Sequence, residues 1–206
     1  PSPRLHRGTP GVYDGWRVSR GFMRVQRPEI KLEILRKYAA AYSTILTHQA
    51  RFEHFYIDGF SGAGIHLTKA TGETVEGSPR IALEIEPPFR RYYFIDLDGD
   101  RVEFLRQSVG ERSDVAILPG DCNQLLLESV FPQVRYEQYR RALCLLDPYG
   151  LQLEWSVLKT AGQMGTIDLF LNFPVMDINR NALWRNPEKL PEEYRERMTR
   201  FWGDET

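Results

Sequence analysis

The chain has 206 residues, 42% of them hydrophobic and 27% charged, with a formal net charge of −1. That length supports one well-packed domain with at most an appendage, and the balance is that of a soluble globular protein rather than a disordered or fibrous one. No apolar run exceeds the length of Ala142–Leu146, which is far too short to cross a bilayer, so no membrane role is expected.

No apolar segment accompanies the N-terminal arginines, so no secretory signal is read there. Two cysteines, Cys122 and Cys144, make neither a disulfide framework nor a zinc site, and a reduced, cytoplasmic setting is expected. The charge is uneven. Residues 1–28 hold six arginines (4, 7, 17, 20, 24 and 27) and one acid, Asp14, whereas acids outnumber bases in the remainder. A basic arm on an acidic body suits phosphate contacts on a nucleic acid.

After Pro28, residues 29–49 read as a helix. Ile34, Leu35, Tyr38, Ala41, Tyr42, Ile45 and Leu46 recur at three- and four-residue steps and are expected to form its core stripe. A strand over 53–58 then runs into a long glycine loop that reaches Gly77. Ser78-Pro79 is expected to act as N-cap and first turn of a helix over 79–86. Further strands are predicted at 91–95, 115–118, 142–146 and 167–172. Helices are predicted at 98–109, through Leu125, Leu126 and Val130, at 154–161 and at 191–202. Strands alternating with helices at this spacing predict βαβ units, right-handed crossovers and a doubly wound, mostly parallel sheet.

The glycine loop Asp58-Gly-Phe-Ser-Gly-Ala-Gly64 lacks the Gly-Lys-Ser/Thr ending of a P-loop. Its glycines at 59, 62 and 64 also miss the dinucleotide fingerprint. Ser61 is one residue out of register for a nucleophile elbow. His6, His48, His54 and His66 have no metal-ligand spacing, and no metal is expected. What the strands share is their endings. Asp58, Asp96, Asp121, Asp147 and Asn172 each stand at or just past the end of a predicted strand. In a doubly wound sheet those ends converge on one crevice, which suits a nucleoside-containing ligand.

An acid followed by Gly-x-x-Gly-x-Gly, an acid after the second strand, Gly-Asp-Cys after the third and Asp-Pro-aromatic after the fourth resemble the class I S-adenosylmethionine-dependent methyltransferases. More narrowly, the chain resembles the bacterial three-Cys-motif partner protein family over about residues 29–206. The residues that carry this are Lys31 with Ile34-Leu35 and Tyr38, Asp58–Gly64, Gly77-Ser-Pro79 and Leu146-Asp-Pro-Tyr-Gly-Leu151.

The resemblance implies a Rossmann-like fold and S-adenosylmethionine as cofactor. Gly59, Gly62, Ala63 and Gly64 would cradle its methionine part, with Asp58 near the amino group. Asp96 would hold the ribose, and Asp121 with the Cys122 backbone would meet the adenine. Asp147, Pro148 and Tyr149 would be catalytic, and Lys31 would meet substrate. The Asp-Pro-aromatic motif is shared with enzymes that methylate an exocyclic base amine, which leaves adenine N6 and guanine N2 as targets in RNA or DNA. Such folds normally have seven strands; five are predicted here, so residues 29–206 are expected to lack the last two. The alternative that the resemblance implies is a non-catalytic or cofactor-binding subunit serving a partner protein with a three-cysteine motif. Trp184 and Trp202 are candidates for base stacking, with packing as the commoner role.

Overall fold

Strands buried on both faces by helices read as short apolar runs, and the three central strands of this five-stranded sheet are of that kind. The computed structural model describes residues 28–67, 74–182 and 191–203. The basic arm (Pro28 apart) and Trp184 lie outside the described residues.

The order is α1 (Pro28–Thr47), β1 (Glu53–Asp58), β2 (Ile65–Leu67), β3 (Thr74–Glu76), α2 (Ser78–Leu83), β4 (Arg91–Asp96) and α3 (Gly99–Val109). Then come β5 (Val115–Pro119), α4 (Cys122–Leu125, continued by a wider turn over Leu126–Val130), β6 (Arg140–Leu146), α5 (Trp155–Met164), β7 (Ile167–Leu171), α6 (Val175–Ala182) and α7 (Glu192–Trp202). The sheet runs β5-β4-β1-β6-β7, and all four pairings are parallel. This is a mixed α/β, Rossmann-like architecture. Among the described residues no strand follows β7, which forms one edge of the sheet.

The two-residue period of the strands sorts the core into two layers. Tyr56, Tyr92, Phe94, Leu143 and Leu145 face α1, α2 and α3, where they meet Leu35, Ile81 and Leu105. Phe55, Ile57, Tyr93, Ile95, Cys144 and Leu146 face α4, α5 and α7, against Leu126, Val157 and Phe201. Trp202 packs edge-on to Phe201, with ring centroids 5.5 Å apart, and lies 5.7 Å from Phe173, so packing is its observed role.

Three expectations are corrected. The core stripe of α1 is Leu32, Leu35, Ala39 and Ser43, whereas Ile34, Tyr38, Ala41 and Ile45 face outward. The helix carries two apolar stripes, and hydropathy favours the one with the larger side chains; the sheet selects the other. Ser78 does not cap α2: Gly77 stands at the N-cap, and the Ser78 side chain hydrogen-bonds Asp58 instead. Finally, the long loop contains the antiparallel β2–β3 hairpin. Its base is closed by the Gly77 N–H, which donates to the Gly64 carbonyl at 2.8 Å. A Cβ on Gly77 would lie 2.9 Å from the Gly64 carbonyl carbon, so only glycine permits that approach. Helix α6 was not foreseen; it is short, and half of its eight residues are polar.

The α1 correction has a direct check. Leu35→Ala should lower unfolding free energy in denaturant titrations by about 3 kcal/mol, as for a fully buried leucine. Ile34→Ala, on the exposed stripe, should cost less than about 1 kcal/mol.

Candidate active site

From β1 the chain winds to β4 and β5 on one side of the sheet, then returns to β6 and β7 on the other. The reversal falls between β1 and β6, and ligand crevices of open α/β sheets form outside the carboxyl ends at such a point. A crevice of about 860 Å³ opens there, lined among others by Gly59, Gly62, Asp96, Asp121, Asp147 and Tyr149. Small-molecule sites run to roughly 300–1,000 Å³, so its size is that of a small-molecule site.

The Gly59–Gly62 turn is held from below. The Gly59 N–H donates to the Leu145 carbonyl at 3.0 Å, and the Ser61 N–H donates to the Ile95 carbonyl at 2.9 Å. A Cβ on Gly59 would stand 2.7 Å from Cys122 Sγ, so this glycine lets β1 pass close beneath α4. Gly62 has φ 62°, and a Cβ there would meet nothing within 4 Å. It is therefore glycine for its left-handed backbone, and its bare surface forms part of the crevice wall.

Asp96 and Asp121 present carboxylates whose orientation is locked by main chain. Asp96 Oδ2 accepts from the Gly62 N–H at 2.8 Å, and Oδ1 accepts from the Asp98 N–H at 2.9 Å. Asp121 caps α4 through Asn123 N–H at 2.7 Å. Asn123, which sequence reasoning passed over, ties this corner to the loop beyond β6: its Oδ1 accepts from Glu154 N–H at 2.9 Å, and its Nδ2 donates to the Gln152 carbonyl at 2.9 Å. Cys122 lines the crevice, and burial drives its thiol far above the usual range.

Asp147 follows β6 and is anchored at both oxygens. Lys31 of α1 forms an ion pair with Oδ2, and Asn172, just past β7, donates from Nδ2 to Oδ1 at 2.6 Å. Lys31 sits in a small cavity beside the crevice, with Phe60 and Asp147 on the walls of both. Pro148 is buried beneath the turn, while Tyr149 is 91% exposed at the crevice mouth. Asp177 was also missed. Its Oδ2 accepts from Leu151 N–H at 3.0 Å and pairs with Arg197 at 3.6 Å, tying the turn after Tyr149 to α6 and α7.

Three expected cofactor residues are not on the crevice wall. Gly64 packs under Leu105, and Ala63 follows Gly62 on the way to it. Asp58 is completely buried, accepting from the Phe60 N–H at 3.2 Å and from Ser78, with Oδ2 left without a partner. Burial pushes its pKa up from 3.8 to about 7, helped by Asp147 and opposed by Ser78, the Phe60 N–H and Lys31. Of the expected residues, Gly59, Gly62, Asp96, Asp121, Cys122, Asp147 and Tyr149 converge on one crevice. Among the described residues no group of His, Cys, Asp or Glu could hold a metal, and no helix is long and apolar enough to cross a membrane.

No protein-family model matches the chain, and no curated protein does either. Its structure is similar to the crystal structure of protein LPL1258 from Legionella pneumophila str. Philadelphia 1, which is described by the family model DUF519. The TM-score is 0.53 at 16% identity, covering 80% of this chain and 74% of that one. At that identity the likeness shows the fold.

Asp58 should govern part of the pH dependence of stability. With its pKa raised, the folded state holds a proton that the unfolded chain has already released, so stability falls as pH rises from about 4 to about 7 and is level above. Asp58→Asn should remove that dependence, about 3 kcal/mol between pH 5 and pH 8, read from the unfolding free energies of parent and variant in urea titrations at the two pH values.

Proposed function

We propose that this chain is an S-adenosylmethionine-dependent methyltransferase acting on an exocyclic amine of a nucleic-acid base, adenine N6 or guanine N2. The observation that carries this reading is the placement of Asp147-Pro148-Tyr149 at the switch point, with its carboxylate held by Lys31 and Asn172 beside the glycine turn. A class I methyltransferase fold is the finer form of the Rossmann-like architecture that this reading requires.

The residues fit the cofactor. Gly62 offers backbone where a side chain would fill the crevice, and Asp96 and Asp121 supply fixed acceptors for hydroxyl and amino donors. Asp58, buried off the crevice wall, braces that turn by accepting from the Phe60 N–H. S-adenosylmethionine supplies an electrophilic methyl group when bound. The protein's own residues supply position. Asp147 accepts the amine N–H and aims the nitrogen lone pair, and Tyr149 offers an exposed ring on which the base stacks. Pro148 stiffens the turn between them. Lys31 and Asn172 act through Asp147, narrowing the orientations its carboxylate can take. A duplex base would have to leave its stack to reach this crevice, whereas an unpaired loop base would not.

A second reading, a non-catalytic or cofactor-binding subunit of a complex with a cysteine-motif partner protein, has one observation in its favour. The outward stripe of α1 places Ile30, Ile34 and Ile45 at 56%, 53% and 59% exposure. Exposed apolar stripes of this kind are found where partners dock.

Asp147→Asn and Tyr149→Ala should each reduce methyl transfer from labelled S-adenosylmethionine to nucleic acid by at least about 100-fold. Calorimetric affinity for the cofactor should stay within about threefold of the parent's. Asp96→Ala should instead weaken cofactor binding by about tenfold or more, as a charge-assisted acceptor is lost. A folded parent protein that binds neither S-adenosylmethionine nor S-adenosylhomocysteine would overturn the enzymatic reading and leave the second.

A further inference from the structure

The opposite end of the sheet, where β1, β4 and β6 begin, has a different chemistry. Glu53 stands in register with Arg140 and His54 with Arg141, while Arg91 opens β4 alongside Phe55. Two guanidinium groups are interleaved with three aromatic rings. Arg51 lies 5.6 Å from the centre of the Phe52 ring and 4.7 Å from that of Tyr139. Arg141 lies 4.7 Å from Phe52 and 4.8 Å from Tyr136. The order is Tyr139, Arg51, Phe52, Arg141, Tyr136. Beside it a groove of about 250 Å³ is lined by Arg90, Arg91 and Arg140 together with Glu53 and Asp114.

Two features set this ladder apart from an ordinary charged surface. Glu53 pairs with Arg90 and Arg140, and Asp114 with Arg112, but neither Arg51 nor Arg141 has an ion pair among the described residues. Stacking fixes the planes of these two guanidiniums. Arg141 Nη1 donates to the Arg140 carbonyl at 2.8 Å, which leaves its remaining N–H groups and the edge of Arg51 for an anion. The second feature is Tyr139, which has φ 54° in the left-handed region, the one non-glycine residue to do so among those described. A strained backbone is worth noting where burial gains nothing in return, and Tyr139 is 45% exposed and Tyr136 61% exposed.

We propose that this face binds a single-stranded nucleic acid, with Arg51 and Arg141 on successive phosphates and the outer faces of Tyr136 and Tyr139 under unpaired bases. Alternating cations and rings match the alternation of phosphate and base along such a strand. An acidic protein segment would satisfy the cations but leave the rings without stacking partners. β1 has six residues, which separates the face from the crevice by about 20 Å, so a strand held here is gripped remotely from any base in the crevice. The proposal goes beyond the methyl-transfer reading and does not rest on it.

The test is fluorescence anisotropy of a labelled oligouridylate with the full chain and no cofactor. The arginines of residues 1–28 are then common to every protein compared. Arg51→Gln with Arg141→Gln should weaken binding about tenfold at low salt and flatten the slope of log affinity against log salt by about 1.4, two phosphates' worth. Tyr136→Ala, which removes an exposed ring, should weaken binding at least about fivefold with the slope unchanged, and it keeps the proposal testable if the double variant fails to fold. Parent-like affinity and slope in both would overturn the proposal. So would competition by polyglutamate as effective as by unlabelled oligouridylate, which would mark an acidic-protein surface.

Discussion

Three central strands covered on both faces, flanked by partly exposed edge strands, leave the chain little room for polar side chains at the middle of the sheet. The middle strands are apolar almost throughout: β1, β4 and β6 each end in five consecutive buried residues. Polar chemistry is therefore pushed to the strand ends, where helices and loops no longer seal the sheet. The reversal of winding between β1 and β6 then holds two of those ends apart and opens the crevice. Every feature of the candidate site follows from that exclusion. The carboxylates are there because only there can they find water, backbone N–H groups or a ligand.

Asp58 is the exception, and it shows how the site is kept rigid. It lies inside the sealed part of the sheet, completely buried, with its acceptors turned to Ser78 and the loop backbone. A carboxyl so placed is costly when ionised. In return it ties β1, the glycine turn and the start of α2 to one point. Asp147 is arranged differently, partly exposed and held by side chains from α1 and from beyond β7. One acid thus braces the turn from beneath while the other faces the crevice, because burial and partners differ over a short distance.

The two ends of the sheet carry opposite charge. Carboxylates gather at the carboxyl ends, and arginines gather where the strands begin, stacked on rings that continue the core outward. The near-neutral total conceals this polarity. The crevice is not wholly acidic, since Arg101, Arg197 and Arg200 stand on its lining beside the carboxylates.

The alternation of strands and helices, the parallel sheet and the gathering of Asp96, Asp121, Asp147 and Tyr149 at one edge were all legible in the residues. Each depends on local pattern, namely apolar runs of strand length ending in an acid. Other features were not legible, because they depend on which surfaces meet. Helix α1 has two apolar stripes, and only the sheet decides that Leu32, Leu35 and Ala39 go inward. Gly64 reads as a cofactor glycine, yet it serves the close approach of Gly77. The ion pair of Lys31 with Asp147 spans 116 positions, and the ladder of Arg51, Phe52, Tyr136, Tyr139 and Arg141 joins two distant turns. By itself the sequence determined the kinds of element and the chemistry at their ends, since these follow from side-chain periodicity and composition. Only the tertiary structure decided the partners, because a contact between distant residues is set by how the layers pack.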